Sequence, residues 1–338
     1  MEFVLGIAII ISLISSLIFL PKWIKKCHQL GMLWEDMNKY GHPKNVASSG
    51  GIIVAMSFIS GVLIYMAIRT FLFENANGIN LQIISLLSVI LILAIIGLTD
   101  DMLGWKHGGL SWRFRIFLAF FASIPLVVIN AGHHTMNFPF LGQISLGWLY
   151  PLILIPLGIA GATTTFNFLA GFNGLEAGQG IIILSFLSLI AYLTGSSWLA
   201  MVGLCMVASL IGFYYYNKTP ARVFPGDILT WSVGALIAGM SILGNFEKIA
   251  LFVFIPYILE TILKVRGRLK KYSFGIPDKD NNLKLPYPNI YGVTHLSILI
   301  LSKIKKNVKE QDVVYFIFVI QILLCLIALV IFRDGLFL

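Results

Sequence analysis

Three short polar clusters interrupt an otherwise apolar chain, and their residue types share one chemistry. Gly97-Leu98-Thr99-Asp100-Asp101 is followed by Lys106, Arg113 and Arg115. Asn167-Phe168-Leu169-Ala170-Gly171-Phe172-Asn173-Gly174-Leu175-Glu176 is the second cluster, and Arg222-Val223-Phe224-Pro225-Gly226-Asp227 the third. Singly, each has a plain structural reading: paired aspartates cap a helix end, Asn-Gly makes a turn, Gly-Asp opens a helix. Jointly they offer more. Carboxylates and an amide oxygen are hard ligands suited to Mg²⁺, Lys and Arg clamp phosphate oxygens, and glycines let a backbone approach a nucleotide closely. This is the equipment of phosphoryl transfer, in which catalysis is mostly positioning and neutralisation of developing charge. No glycine-rich loop ending in Lys and Ser or Thr occurs, which argues against an ATPase.

The elements that must position these clusters are membrane helices. Of the 338 residues 58% are apolar and 12% charged, and the apolar residues fall in long runs, the composition of a membrane protein. A span needs roughly 20 apolar residues and must satisfy its own backbone groups, so the expected fold is an all-α polytopic bundle. Ten spans are expected, over roughly 3–20, 50–71, 81–98, 114–130, 147–166, 179–194, 198–216, 228–243, 248–264 and 313–332. They divide the Lys and Arg residues 21 to 3, with only Arg69, Lys248 and Arg333 on the poorer side. The positive-inside rule then makes the rich side cytoplasmic and leaves the N-terminus outside. All three polar clusters fall on that side. Much of the net charge of +9 is accounted for by orientation and by contact with anionic lipid. Cys27, Cys205 and Cys325 give neither a disulfide framework nor a zinc spacing. No internal repeat is visible, and one domain over residues 1–338 is the simplest organisation. A transporter or flippase, with Glu260 as its coupling acid, is the main alternative, but it calls for polar groups at mid-membrane rather than at one face.

The order Asp100-Asp101, then NFLAGFNGLEAGQ from Asn167 to Gln179, then RVFPGD from Arg222 to Asp227 resembles the polyprenyl-phosphate N-acetylhexosamine-1-phosphate transferase family. The likeness runs from Asp36-Met37-Asn38-Lys39 and Gly50-Gly51 to the last helix. The middle motif looks closer to the archaeal and eukaryotic UDP-GlcNAc:dolichyl-phosphate GlcNAc-1-phosphate transferases than to the bacterial enzymes. The histidine-rich loop of the latter is missing between Lys264 and Pro288, against a role in peptidoglycan synthesis. The short chain and its Lys- and Ile-rich composition favour an archaeal member.

The resemblance implies roles. Asn167 and Asp227 match Mg²⁺ ligands, with Mn²⁺ as a substitute ion; Asp100 and Asp101 match the acidic pair near the acceptor phosphate. Gly171 and Asn173 match a uracil-recognising turn, to which Glu176 belongs. Arg115 stands where a phosphate-contacting Lys is expected, and Lys106 and Arg113 are further phosphate contacts. Val46-Ala47-Ser48 departs from the eukaryotic pattern, which is acidic there. The basic segment with Arg266 and Arg268 lies where eukaryotic members surround the sugar, so residues 264–288 are expected to choose it. The implied partners are UDP-GlcNAc, a polyprenyl or dolichyl phosphate and membrane lipids, with no nucleic acid and with a homodimer left open. The implied location is a multi-pass protein of the plasma membrane in an archaeon or of the endoplasmic reticulum in a eukaryote, its active site cytoplasmic.

Overall fold

The structure, a computed structural model, describes residues 2–73, 78–138 and 142–333. In chain order its helices are α1 (Glu2–Leu30), α2 (Gly51–Leu72), α3 (Ile79–His107), α4 (Trp112–Ala122), α5 (Ile124–Val128), α6 (Ile155–Phe168), α7 (Leu175–Leu193), α8 (Ser197–Asn217) and α9 (Gly226–Gly244). They continue with α10 (Glu247–Val253), α11 (Ile255–Arg266), α12 (Val293–Ile304) and α13 (Glu310–Ile331). A π-helical turn, Tyr150–Leu154, leads into α6. Among the described residues three antiparallel strand pairs complete the fold: β1 (Leu33–Glu35) with β2 (Lys44–Ala47), β3 (Thr135–Phe138) with β4 (Gly142–Ser145), and β5 (Ile276–Pro277) with β6 (Leu283–Lys284).

The all-α polytopic bundle expected from the composition is what forms. Among the described residues, eight helices are long and apolar enough to cross a membrane, corresponding to eight of the ten expected spans. The fourth and ninth are each divided, into α4 with α5 and α10 with α11. The cause is local: Pro125 and Pro256 sit in the first turns of α5 and α11, where the missing N–H prevents a continuous ladder. The first segment holds Pro21 without breaking.

Helix α9 is the centre of the bundle. In its most apolar window 83% of residues are buried, against 22% for α1 and 28% for α13, whose exposed faces are apolar and suit lipid. Three neighbours meet α9 backbone to backbone. A Cβ on Gly97 of α3 would lie 2.7 Å from Ile228 Cα, one on Gly51 of α2 would lie 2.6 Å from Leu229 N, and one on Gly234 would lie 2.7 Å from Thr163 Cα of α6. Small residues at crossings are how membrane helices gain close packing without a hydrophobic drive between them. All three of these neighbours, with α9 itself, carry polar clusters or their supports at one end of the bundle. At that end β2 joins the α8–α9 connection, since Phe224 N–H donates to Ala47 O (2.8 Å) and Ala47 N–H to Arg222 O (3.1 Å).

The packing at Gly97 can be tested against its neighbour on the same helix, Gly104, which has open space around its Cβ position. Gly97→Ala is expected to lower the thermal unfolding temperature in detergent by an overpacking cost of about 1–3 kcal/mol. Gly104→Ala, relieved of glycine's conformational entropy, should leave that temperature unchanged or raise it.

Candidate active site

The end of α3 and the start of α9 are joined by their own polar groups. Asp101 Oδ1 accepts the Asp227 backbone N–H at 2.7 Å. Gly226, at φ +71, allows it, because a Cβ there would lie 2.1 Å from Asp101 Oδ2. Arg115, projecting from α4, then spans the two helices: Nη2 lies 2.7 Å from Asp100 Oδ2 and Nη1 lies 3.1 Å from Asp227 Oδ2. Its Nε donates to Leu110 O at 3.0 Å, which fixes the plane of the guanidinium. A planar fork can serve two carboxylates in this way; an ammonium cannot match it. Asn167, at the end of α6, turns Oδ1 to the Thr230 hydroxyl of α9 at 3.1 Å.

These groups border a cavity of about 500 Å³ lined by Asp101, Asn167, Gly171, Glu176, Asp227 and Thr230, with Trp34, Phe172, Phe224 and Phe274 as its aromatic walls. A second cavity, a groove of about 770 Å³, runs along α4, α6 and α11 past Ile116, Phe120, Leu157 and Gly161. The two have Asn167, Ala170 and Phe274 in common. A polar cavity and an apolar groove therefore meet beside the carboxylates, with Arg115, Lys264 and Lys271 on the groove side.

The turn after α6 is held by four side chains. Gly171 N–H donates to Glu176 Oε1 (2.8 Å), and Gly171 O accepts from Asn38 Nδ2 (2.8 Å). Asn173 N–H donates to Glu310 Oε1 (2.8 Å), and Asn173 Nδ2 donates to Asp36 Oδ2 (2.9 Å). Gly171 has φ +115, and a Cβ on it would lie 2.7 Å from the Phe274 ring. Phe274 is itself fixed from behind. Thr294 Oγ1 donates to Ser273 O (2.8 Å), His295 Nε2 lies 3.3 Å from Phe274 O, and Gly275 N–H donates to Asn38 Oδ1 (3.3 Å). Burial lowers the pKa of His295, keeping the imidazole neutral and able to donate from Nε2.

Of the residues singled out in the sequence, Asp101, Asn167, Gly171, Glu176 and Asp227 line the polar cavity, and Arg115 lines the groove. Asp100 is buried behind Arg115. Asn173 is buried too, but its side chain is taken up by Asp36 and does not line either cavity. Arg113 is exposed and lies over the Trp112 ring; Arg266 and Arg268 are exposed and line neither cavity. The side chain of Lys106 lies outside the described residues. Glu260 is buried, lies 3.8 Å from Lys264 and accepts the Val293 N–H, which makes it an internal anchor for α12. Sequence reasoning missed Phe274 and Glu310: one sits in a loop without a motif, the other begins a span as an ordinary first-turn acid.

Asp227, Asn167 and Asp101 are the residues that fit a hard cation. Asp101 Oδ2 is buried without a hydrogen-bond partner, and the three side chains line the same cavity. Among the described residues no three His, Cys, Asp or Glu side chains cluster to enclose an ion by themselves. So sparse an oxygen set would leave positions on a hard divalent cation for water and other oxygen ligands.

Fold and site together define an integral, multi-pass membrane protein in which a polar cavity abuts an apolar groove. The chain belongs to glycosyl transferase family 4, whose model matches residues 83–245. It is 33% identical over 331 residues, 96% of this chain and 94% of the relative, to a Sulfolobus acidocaldarius protein provisionally named a UDP-N-acetylglucosamine-dolichyl-phosphate N-acetylglucosaminephosphotransferase. It is 31% identical over 274 residues, 70% of this chain and 65% of the relative, to the Dictyostelium discoideum protein of that name. A Bacillus subtilis relative, provisionally named an undecaprenyl-phosphate N-acetylglucosaminyl 1-phosphate transferase, is 28% identical over 287 residues, 81% of this chain and 75% of the relative.

Breaking the Arg115 bridge should be felt in stability. Arg115→Gln leaves Asp100, 2% exposed, without its counter-charge. Removing one partner of a fully buried pair costs about 3–5 kcal/mol, and the 30% exposure of the Arg115 side chain reduces this to about 1–3 kcal/mol. Arg115→Lys should fall between the variant and the parent. An unchanged unfolding temperature for Arg115→Gln would show that the bridge does not hold the helix ends together.

Proposed function

We propose that the protein transfers GlcNAc 1-phosphate from UDP-GlcNAc to a polyprenyl phosphate of the dolichyl kind, at the cytoplasmic face of its membrane, releasing UMP. The observation that carries this reading is the meeting of the two cavities at Asn167, Ala170 and Phe274. A water-soluble donor and a lipid acceptor need separate approaches and a common end. The named substrates of the relatives fit that division. The 21 to 3 distribution of Lys and Arg supports a cytoplasmic site. The similarity to archaeal relatives, one of them over 96% of this chain, favours a plasma membrane location.

In this reading UDP lies in the polar cavity, its base among the aromatic walls and against the Gly171 turn, and its diphosphate toward Asp227 and Asn167. The acceptor chain lies in the groove, with its phosphate drawn toward Arg115, Lys264 and Lys271. An oxygen of the lipid phosphate attacks the β-phosphorus of the donor. The bond from that phosphorus to the oxygen bridging it to the α-phosphate breaks, and that oxygen leaves with UMP. The acceptor's second pKa lies near 6, as for other phosphate monoesters, so the nucleophile is ionised at neutral pH and needs no general base. Asp100 accordingly acts through Arg115: it holds the guanidinium where the attacking phosphate arrives. Asp227 and Asn167, with Asp101 beside them, would hold Mg²⁺, or Mn²⁺ in its place, which when bound would supply charge neutralisation on the diphosphate. The 264–288 segment meets both cavities at Phe274, whereas Arg266 and Arg268 are exposed and line neither, so its choice of sugar does not run through those two arginines.

Purified protein given UDP-GlcNAc, a polyprenyl phosphate and Mg²⁺ should release UMP in step with a lipid-linked diphosphate sugar. Release of UDP would mean that the sugar is transferred without its phosphate and would overturn the assignment.

Asp227→Asn and Asn167→Ala should each reduce turnover by at least a hundredfold, in line with the loss of one electrostatic contact in the transition state, with membrane insertion intact. Near-normal turnover of either variant at limiting Mg²⁺ would remove that residue from the metal site.

A further inference from the structure

The α6–α7 turn is made of residues that give it little shape of its own. Gly171 and Gly174 both hold positive φ, +115 and +84, and glycine visits these regions as readily as any other. Such a turn fixes a ligand only if something outside it fixes the turn. The motif Asp36-Met37-Asn38-Lys39 and the carboxylate of Glu310, far apart in sequence, converge on it.

Glu310, 2% exposed, accepts four hydrogen bonds from three segments. On Oε1 these come from Asn173 N–H (2.8 Å) and Asn38 Nδ2 (3.3 Å), and on Oε2 from Lys39 Nζ and Thr219 Oγ1 (3.3 Å). Both oxygens are thus filled by donors, and the ammonium of Lys39 balances the charge. Asn38, 1% exposed, extends the tie. Its Nδ2 reaches Gly171 O as well as Glu310, and its Oδ1 accepts from Gly275. The turn and the segment that carries Phe274 therefore hang from one buried amide. Asp36 completes the set by accepting from Asn173 Nδ2. None of these hydrogen bonds ends on Asp100, Asp101 or Asp227.

We infer that Glu310 and Asn38 are positioning residues for the nucleotide: they preorganise the Gly171–Asn173 turn, and so set the affinity for UDP without acting on the transferred phosphoryl group. The inference rests on the reading that UDP occupies the polar cavity. Affinity then depends on the ordering cost of the turn, which these bonds meet before the ligand arrives.

Glu310→Gln is the discriminating change. Its amide keeps one acceptor oxygen and turns an NH₂ toward the donors that faced the other, so one pair of bonds is lost while volume is conserved. We expect UDP affinity, measured by calorimetry on detergent-solubilised protein, to weaken at least tenfold. KM for UDP-GlcNAc should rise with it, while kcat and KM for polyprenyl phosphate change far less. Asn38→Ala should act in the same direction and carries the test alone if Glu310→Gln fails to fold. A folded variant that binds UDP as tightly as the parent, with only a lower unfolding temperature, overturns the inference, as does an equal loss for both substrates. Failure of the parent protein itself to bind UDP overturns both this inference and the nucleotide reading beneath it.

Discussion

The backbone contact between Gly97 of α3 and Ile228 of α9 is the constraint on which the rest of the site depends. With a Cβ position 2.7 Å from Ile228 Cα, α3 packs on α9 with no room for a side chain between the two backbones. Only at that separation can Asp101 take the Asp227 N–H, and only with α3 and α9 so joined can one guanidinium reach both Asp100 and Asp227. The same logic repeats at Gly51 and Gly234, so that α2 and α6 bring the 30–50 connection and Asn167 to the same place. In a membrane, where apolar side chains gain nothing by leaving lipid for protein, close packing of this kind is what specifies an arrangement.

Two regimes of polar organisation follow. Around Asp227 the groups are incompletely satisfied: Asp100 and Asp227 share one arginine, and Asp101 Oδ2 has no hydrogen-bond donor. That is an arrangement suited to receiving a cation and phosphates. Around Asn173 both oxygens of Glu310 and both ends of the Asn38 amide are filled by partners from several segments, and Glu176 Oε2 is the one carboxylate oxygen of the turn left without one. A saturated network rigidifies, whereas an unsaturated one binds. The two meet at a single cavity, which Asp36 and Asp227 both line.

Much of this was legible in the sequence, for identifiable reasons. Apolar runs report spans because the bilayer imposes their length, and the three polar clusters stood out because acids at the ends of such runs are costly. Their convergence followed from topology alone. The division of two spans followed from Pro125 and Pro256, whose presence in apolar runs was visible but whose effect depends on register. The burial of Asn173 against Asp36 was not legible, since an Asn-Gly pair reads as an exposed turn until its partners are known. Glu310 and Phe274 were missed because their roles come from residues up to 272 positions away, and Arg266 and Arg268 drew attention as charges although the local chain points them to solvent.

The proposed transfer is direct and takes place at the junction of the two cavities, with donor and acceptor present together and no covalent carrier on Asp100, Asp101 or Asp227. Isotope exchange tests it most directly. Labelled UMP incubated with the protein, Mg²⁺ and unlabelled UDP-GlcNAc, but no polyprenyl phosphate, should give no labelled UDP-GlcNAc, and adding the lipid-linked product should start the exchange. Exchange without lipid would require a sugar-phosphate held on the enzyme and would contradict the claim.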